Sequence, residues 1–339
     1  VSNDRTAHRP ALDVVAGGPS HRAAVADRLP ALRIALEQAD PSGLLARDDV
    51  LAVIGFGRTG LPADPRCLRV GLEPIGPAPL EVWYGQGPVR HGEDAGIRWS
   101  RDEDYTFFAI EVAEEPGSAL GGAAERLYRR LGTWLAAQPH HLLRLWNYFD
   151  AINDGDGDEE RYRQFCTGRV LGMQDLFGAV YPAATVIGRR DGERVLQVYG
   201  LAARRPGEAI ENPRQLSAWR YPRDYGPTAP RFARAMRSPG DQLLISGTAA
   251  IVGHASRHRE DVVAQLEETL ANLDSLCAAV SSGLRLGSGS VLKVYVRRPQ
   301  DAAAILQRLR THVPGGAVLV LAGDVCRREL LVEVDGIHG

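Results

Sequence analysis

The sequence predicts an α+β protein, an α/β sandwich made of two successive βαβαββ units, each a sheet with helices on one face. Three observations predict it: the element order of the second half, the same order in the first half, and matching endings. In the first half "YTFFAIEVA" reads as a strand, "AAERLYRRLGTWLAAQ" as a helix, "LLRLWNYF" as a strand and "DEERYRQFCTGRVLGM" as a helix. Two strands follow, "AATVIGRR" and "VLQVYGLAA". In the second half "DQLLISGTAAI" is a strand, and "REDVVAQLEETLANLDSLCAAV" places Val262, Val263, Leu266, Leu270 and Leu273 at the spacing of a long amphipathic helix. "VLKVYVRR" alternates as a strand, and "PQDAAAILQRLRTHV" is a helix opened by proline. "AVLVLAG" and "LLVEVDGI" are strands again. The endings correspond, "LQVYGLA" beside "LVEVDGI". Repetition at this scale implies an N-terminal domain over 1–208 with added strands before its first copy, and a C-terminal domain over 209–339. They join near the polar stretch "ARRPGEAIENPRQ". A ligand site is expected at the junction.

The bulk properties exclude several classes of function. With 339 residues, 44% hydrophobic and 24% charged, the chain can bury two proper cores. Forty basic against forty-two acidic residues leave a formal charge of -2, which does not point to nucleic acid or a membrane surface. No apolar run has the length of a membrane span, and "VSNDRTAHRPALDVVAGG" lacks the basic-then-apolar order of a secretion signal. A cytoplasmic enzyme with a small-molecule substrate fits these facts. Cys67, Cys166, Cys277 and Cys326 are too scattered for a disulfide framework or a zinc site, so neither metal nor cofactor is expected.

Two motifs are decoys. "VLAVIGFGRTG" has the glycine spacing of a dinucleotide fingerprint at Gly55, Gly57 and Gly60, but the third glycine must open a helix to hold a pyrophosphate. Pro62 and Pro65 break any helix there, and "CLRVGLE" alternates, so the segment reads as strand, turn, strand. "NDGDGDEERYRQF" has the alternating acids of a calcium loop, yet Glu159 stands where glycine is needed and Phe165 where a bidentate Glu should close the site. It reads as an acidic loop capping a helix.

The segments "YGPTAPRFARAMRSPGDQLLISGTAAI", "ANLDSL", "VLKVYVRR" and "LLVEVDGI" resemble the YjgF-like deaminase superfamily, normally trimers of single βαβαββ domains with pockets between subunits. A larger set, "LLRLWNYFDAIN", "ERYRQFCTGR", "ENPRQLSAWRYPRDYGPTAPRFARA", "LISGTAAIVGH" and "CRRELLVEVDG", resembles the chorismatases, most of all the 3-hydroxybenzoate-forming type. The resemblance covers most of residues 100–339 and implies a fused two-domain version of this YjgF-like, chorismate-mutase-like fold. Where the deaminases carry a pocket arginine this chain has about Val325, which argues against imine hydrolysis. The resemblance implies cleavage of chorismate, in secondary metabolism, to pyruvate and 3-hydroxybenzoate. The alternative product is 3,4-dihydroxycyclohexa-1,5-diene carboxylate.

Cleaving an enolpyruvyl ether needs a proton on its terminal methylene carbon. Glu333 lies between Val332 and Val334, whose side chains take the opposite strand face, and burial would raise its pKa. The resemblance matches it to the catalytic Glu. Cys326, seven residues earlier across the expected final hairpin, faces the same pocket and, by resemblance, helps to open an epoxide-like intermediate and to aromatise it. The substrate's two carboxylates need arginines. Of Arg144, Arg161, Arg163, Arg169, Arg223, Arg231 and Arg234 in the matching motifs, Arg163, Arg223 and Arg231 are favoured, with Tyr148, Tyr221 and Tyr225 as neutral donors. Gly247 and Thr248 end a strand where backbone N–H groups can approach a ligand. A monomer or small homo-oligomer is expected. The competing readings are a carboxylate-binding protein without activity, an imine deaminase and a Rossmann dehydrogenase.

Overall fold

The computed structural model describes residues 28–57, 60–115, 119–173 and 180–339. The segment "VSNDRTAHRPALDVVAGG" lies outside them. A first, four-stranded sheet comes from β1 (Arg33–Glu37), α1 (Pro41–Leu45), β2 (Val50–Phe56), β3 (Cys67–Val70) and β4 (Leu80–Tyr84). The first large unit follows: β5 (Arg90–Asp94), β6 (Ile97–Arg101), β7 (Tyr105–Ala113), α2 (Leu120–Ala136), β8 (His141–Asp150), α3 (Arg161–Met173), β9 (Ala183–Arg189) and β10 (Val195–Ala203). The second holds β11 (Glu208–Ile210), β12 (Ala235–Arg237), β13 (Leu243–Ala249), the small hairpin β14 (Ile251–Val252) and β15 (Ala255–Ser256), α4 (Val262–Val280), β16 (Ser290–Val296), α5 (Ala302–His312), β17 (Ala317–Ala322) and β18 (Val332–His338). No helix among the described residues is long and apolar enough to cross a membrane.

The two large sheets have the orders β5-β6-β7-β10-β8-β9 and β11-β12-β13-β18-β16-β17. Both therefore place the strands of one unit as first, last, second, third, with the second and third parallel. The α+β class and its duplicated pattern are as the sequence predicts. The residues before β5 do more than add strands. Their sheet has the order β1-β4-β2-β3, with β2 and β3 parallel and β4 antiparallel to β1 and β2. This is a third copy of the pattern. The short α1 fills its first connection, and the glycine turn stands where a second helix would run. Residues 58 and 59 of that turn lie outside the described residues, and 60–66 hold no helix.

Period-2 alternation sorts each strand between two cores. Phe108, Leu145 and Val198 meet Leu127, Leu131 and Phe165 of α2 and α3, while Val294, Val332 and Val334 meet Leu266, Leu273 and Ile305 of α4 and α5. The opposite faces meet one another: Trp83, Phe107, Trp146, Tyr199, Leu244, Tyr295 and Ile337 form one cluster drawn from all three sheets. Within it Lys293 Nζ lies 2.8 Å from Glu81 Oε2 and donates to the Tyr199 hydroxyl at 3.1 Å, which joins the three sheets through one buried ion pair.

Candidate active site

The inter-sheet face of β18 carries Glu333, Asp335 and Ile337, because Val332 and Val334 turn to the helices. Glu333 is 5% exposed and lies at the wall of a cavity of about 410 Å³. One side comes from the first large unit, residues 155–157, Glu160, Tyr162 and Arg163 at the start of α3. The other comes from the second unit, with Gly247 and Ala249 of β13, the 326–329 loop, and Tyr221, Tyr225, Phe232 and Arg234. The cavity thus sits at the expected junction.

Local backbone features aim the carboxyl. The β13–β18 ladder slips between Ile245 and Thr248, and pairing resumes at Thr248 with Val334 and Ala249 with Glu333. Gly247 lies in that irregularity, and a Cβ on it would overlap Glu333 Oε1. Its role is to leave room for the carboxyl. Burial, reinforced by the Asp335 carboxylate, pushes Glu333 up to about 8 against the opposing pull of Arg144 and Arg234. Asp335 itself is held by the Tyr295 hydroxyl at 2.9 Å, Trp146 Nε1 at 3.1 Å and Arg144 at 3.3 Å. At neutral pH Glu333 is therefore mainly a proton donor.

Cys326 lines the same cavity. Its loop is no hairpin: β17 pairs with β16, and β18 lies between β16 and β13, so residues 323–331 cross over an intervening strand. The expectation failed because sequence neighbours need not be sheet neighbours. Burial and the Glu333 carboxyl push the thiol up to about 12, so it acts as S–H and not as a standing thiolate. Tyr162, whose hydroxyl burial also pushes up, bonds to Cys166. Cys166 and Cys277 are core residues.

Of the ten singled-out residues, Glu333, Cys326, Arg163, Tyr221, Tyr225 and Gly247 line the cavity, and four do not. Tyr148 is fully buried in the inter-sheet core with its hydroxyl 3.0 Å from that of Tyr295, because its place on β8 turns it to the sheets. Arg223 is exposed and makes a bidentate pair with Asp158. Arg231 lies 6.0 Å from the Tyr181 ring centroid, off the cavity wall. The Thr248 hydroxyl donates to the Ser246 carbonyl at 2.9 Å, a local bond on the far side of the bulge. Val325 is fully buried among Ala249, Ala250, Ile251 and Leu330, so that position offers no cation.

Three other wall arginines, Arg234, Arg259 and Arg327, form no ion pair among the described residues, and the first and last are held in place. Arg234, only 4% exposed, donates through Nη2 to the Leu216 carbonyl at 2.6 Å and the Tyr221 hydroxyl at 2.8 Å. Arg327 lies 3.9 Å from the Tyr225 ring centroid and donates to the His254 carbonyl at 2.8 Å. Neither makes an ion pair with a carboxylate among the described residues, whereas Arg163 is engaged by Glu160 at 3.2 Å. Arg234 stood among the candidates without being favoured. Arg327 carries one signal in the sequence, its place beside Cys326.

Residues 81–202 match the family described as Chorismatase FkbO/Hyg5-like, N-terminal. A 3-hydroxybenzoate synthase of Streptomyces hygroscopicus is 36% identical over 76% of this chain and 80% of its own length. A chorismatase of Streptomyces rapamycinicus is 36% identical over 89% of this chain and 96% of its own. A crystal structure of a chorismatase superposes with a TM-score of 0.79 at 32% identity, covering 92% of this chain and 99% of that one.

Proposed function

The chain belongs to the chorismatase family, and from that premise we propose that it converts chorismate to 3-hydroxybenzoate and pyruvate, with Glu333 as the acid and Cys326 directing the product. The observation that carries the reading is a buried carboxyl that keeps its proton to about pH 8 in a junction cavity shared with a thiol. Residues 209–339 supply both groups, and 1–208 supplies the facing wall. No cofactor enters the reaction.

Arg234 and Arg327, wall cations whose charges act on Glu333 and Cys326, take the two substrate carboxylates, with Tyr221 and Tyr225 fixing their guanidinium planes. Glu333 gives its proton to the methylene carbon, which becomes a methyl group and leaves positive charge on the ether carbon. The neighbouring ring hydroxyl attacks the carbon that carries the ether and returns its proton to the Glu333 carboxylate. The C–O bond to the side chain breaks, and its electrons complete the ketone of pyruvate. The ring is left as an epoxide. Because the thiol stays protonated, opening is concerted: Sγ bonds to one epoxide carbon as its proton passes to the oxygen. The ring proton of the hydroxyl-bearing carbon then passes to sulfur as the C–S bond breaks, which frees the thiol and gives the aromatic ring. Atoms balance without water. If water opens the epoxide, the diene diol forms, with one water consumed.

Incubation of the purified protein with chorismate, beside Glu333→Gln and Cys326→Ala, tests the reading by product mass spectrometry. Pyruvate with 3-hydroxybenzoate is expected, with Glu333→Gln inactive and Cys326→Ala diverted to the diol. Diol from the parent protein would reduce Cys326 to packing, and unchanged chorismate would overturn the reading in favour of a binding protein.

A further inference from the structure

Cys326 sits on a nine-residue crossing, 323–331, and a thiol selects between two products only if that crossing holds it still. Backbone pairing ties its ends, where Asp324 and Gly188 exchange both N–H···O bonds and the Arg297 N–H donates to the Leu331 carbonyl, but does not hold the stretch around Cys326. Two side chains from opposite units do. Arg297, just beyond β16, donates through Nη2 to the Val325 carbonyl at 2.8 Å and the Arg327 carbonyl at 3.1 Å. Through Nε it donates to the Leu330 carbonyl at 2.8 Å, and through Nη1 to Asp324 Oδ1 at 2.6 Å. Asn153, in the β8–α3 connection of the first large unit, donates through Nδ2 to the Cys326 carbonyl at 3.3 Å. Its Oδ1 accepts from Arg297 Nη2 at 3.0 Å.

Three successive carbonyls, at 325, 326 and 327, therefore end on one guanidinium–amide pair that bridges the units. Neither Asn153 nor Arg297 lines the cavity, so neither touches the substrate. We propose that Asn153 and Arg297 are positioning residues that decide the product, by fixing the backbone from which Cys326 reaches the ring. The proposal rests on the reading of Cys326 given above. It goes beyond it in placing product selectivity partly on residues outside the cavity. A thiol displaced by an ångström no longer opens the epoxide ahead of water, whereas Glu333, on the paired strand β18, keeps its place.

The test is the ratio of 3-hydroxybenzoate to diene diol, read with total pyruvate release, for Asn153→Ala, Arg297→Lys and Cys326→Ala. Asn153→Ala is expected to release pyruvate within about threefold of the parent rate while the ratio falls about tenfold. Arg297→Lys, which keeps the charge but not the planar fork, is expected to shift the ratio the same way. Should it fail to fold, Asn153→Ala decides alone. A merely structural role would lower thermal stability and both products together, leaving the ratio fixed. A ratio that moves in Cys326→Ala but not in Asn153→Ala overturns the positioning role alone. A ratio unmoved in Cys326→Ala overturns the role of the thiol and this proposal with it.

Discussion

A hydrogen atom at position 247 and a proton at position 333 depend on each other. Gly247 leaves the space that Glu333 Oε1 occupies, and the enclosure this creates keeps the carboxyl neutral. Gly247→Ala is expected to fold and to lose about a hundredfold in kcat/KM, because the acid is moved and not removed. The sign of the pH effect follows from the raised value. The acid works only when protonated, so kcat/KM stays level below about pH 8 and falls above it, about tenfold per unit. A pH–rate profile checks this, and an optimum on the alkaline side would contradict it. Strand alternation sets Glu333 on one face between two valines, but it was the resemblance to the chorismatases that marked it as the acid. Arg234 and Arg327 were harder, since what marks them is a charge beside Glu333 and Cys326 that no carboxylate pairs, and such neighbours are visible only in three dimensions.

Among the elements, α3 brings Tyr162 and Arg163 to the cavity, and its closeness to α2 sets how far they reach. The contact is made by glycine: a Cβ on Gly168 would strike the Gly121 carbonyl, and one on Gly172 would meet the Glu125 carbonyl. Gly168→Val is therefore expected to destabilise the fold by about 1–3 kcal/mol in urea titrations and to raise KM as α3 is pushed outward. Helix α4 shows its apolar stripe openly. Helix α3 buries Arg169 and two glycines among its inward residues, so periodicity alone marks it weakly, and the repeat supplied the reading. The 323–331 crossing reads as a hairpin for another reason: strand order in a sheet leaves no trace in the sequence of a single strand.

At the scale of the whole molecule, three sheets rather than two surround the central aromatic cluster. The third was hidden because Pro62 and Pro65 stand where the other copies have a helix, which breaks the repeat that betrays them. One of its bonds to the rest is the ion pair of Lys293 with Glu81, both less than 5% exposed. Removing one partner strands a buried charge, so Lys293→Met is expected to cost about 3–5 kcal/mol, and the double variant Lys293→Met with Glu81→Leu far less. Chemical denaturation of the three proteins checks the difference. Every wall of the cavity, from Gly155 to Glu333, is part of one covalent chain. The short connection from β10 to β11 thus sets the concentration of each wall around the other, whatever the amount of protein present. A site shared between separate subunits dissolves on dilution, whereas here specific activity is expected to hold from micromolar to nanomolar enzyme, as if the partners could never leave the room.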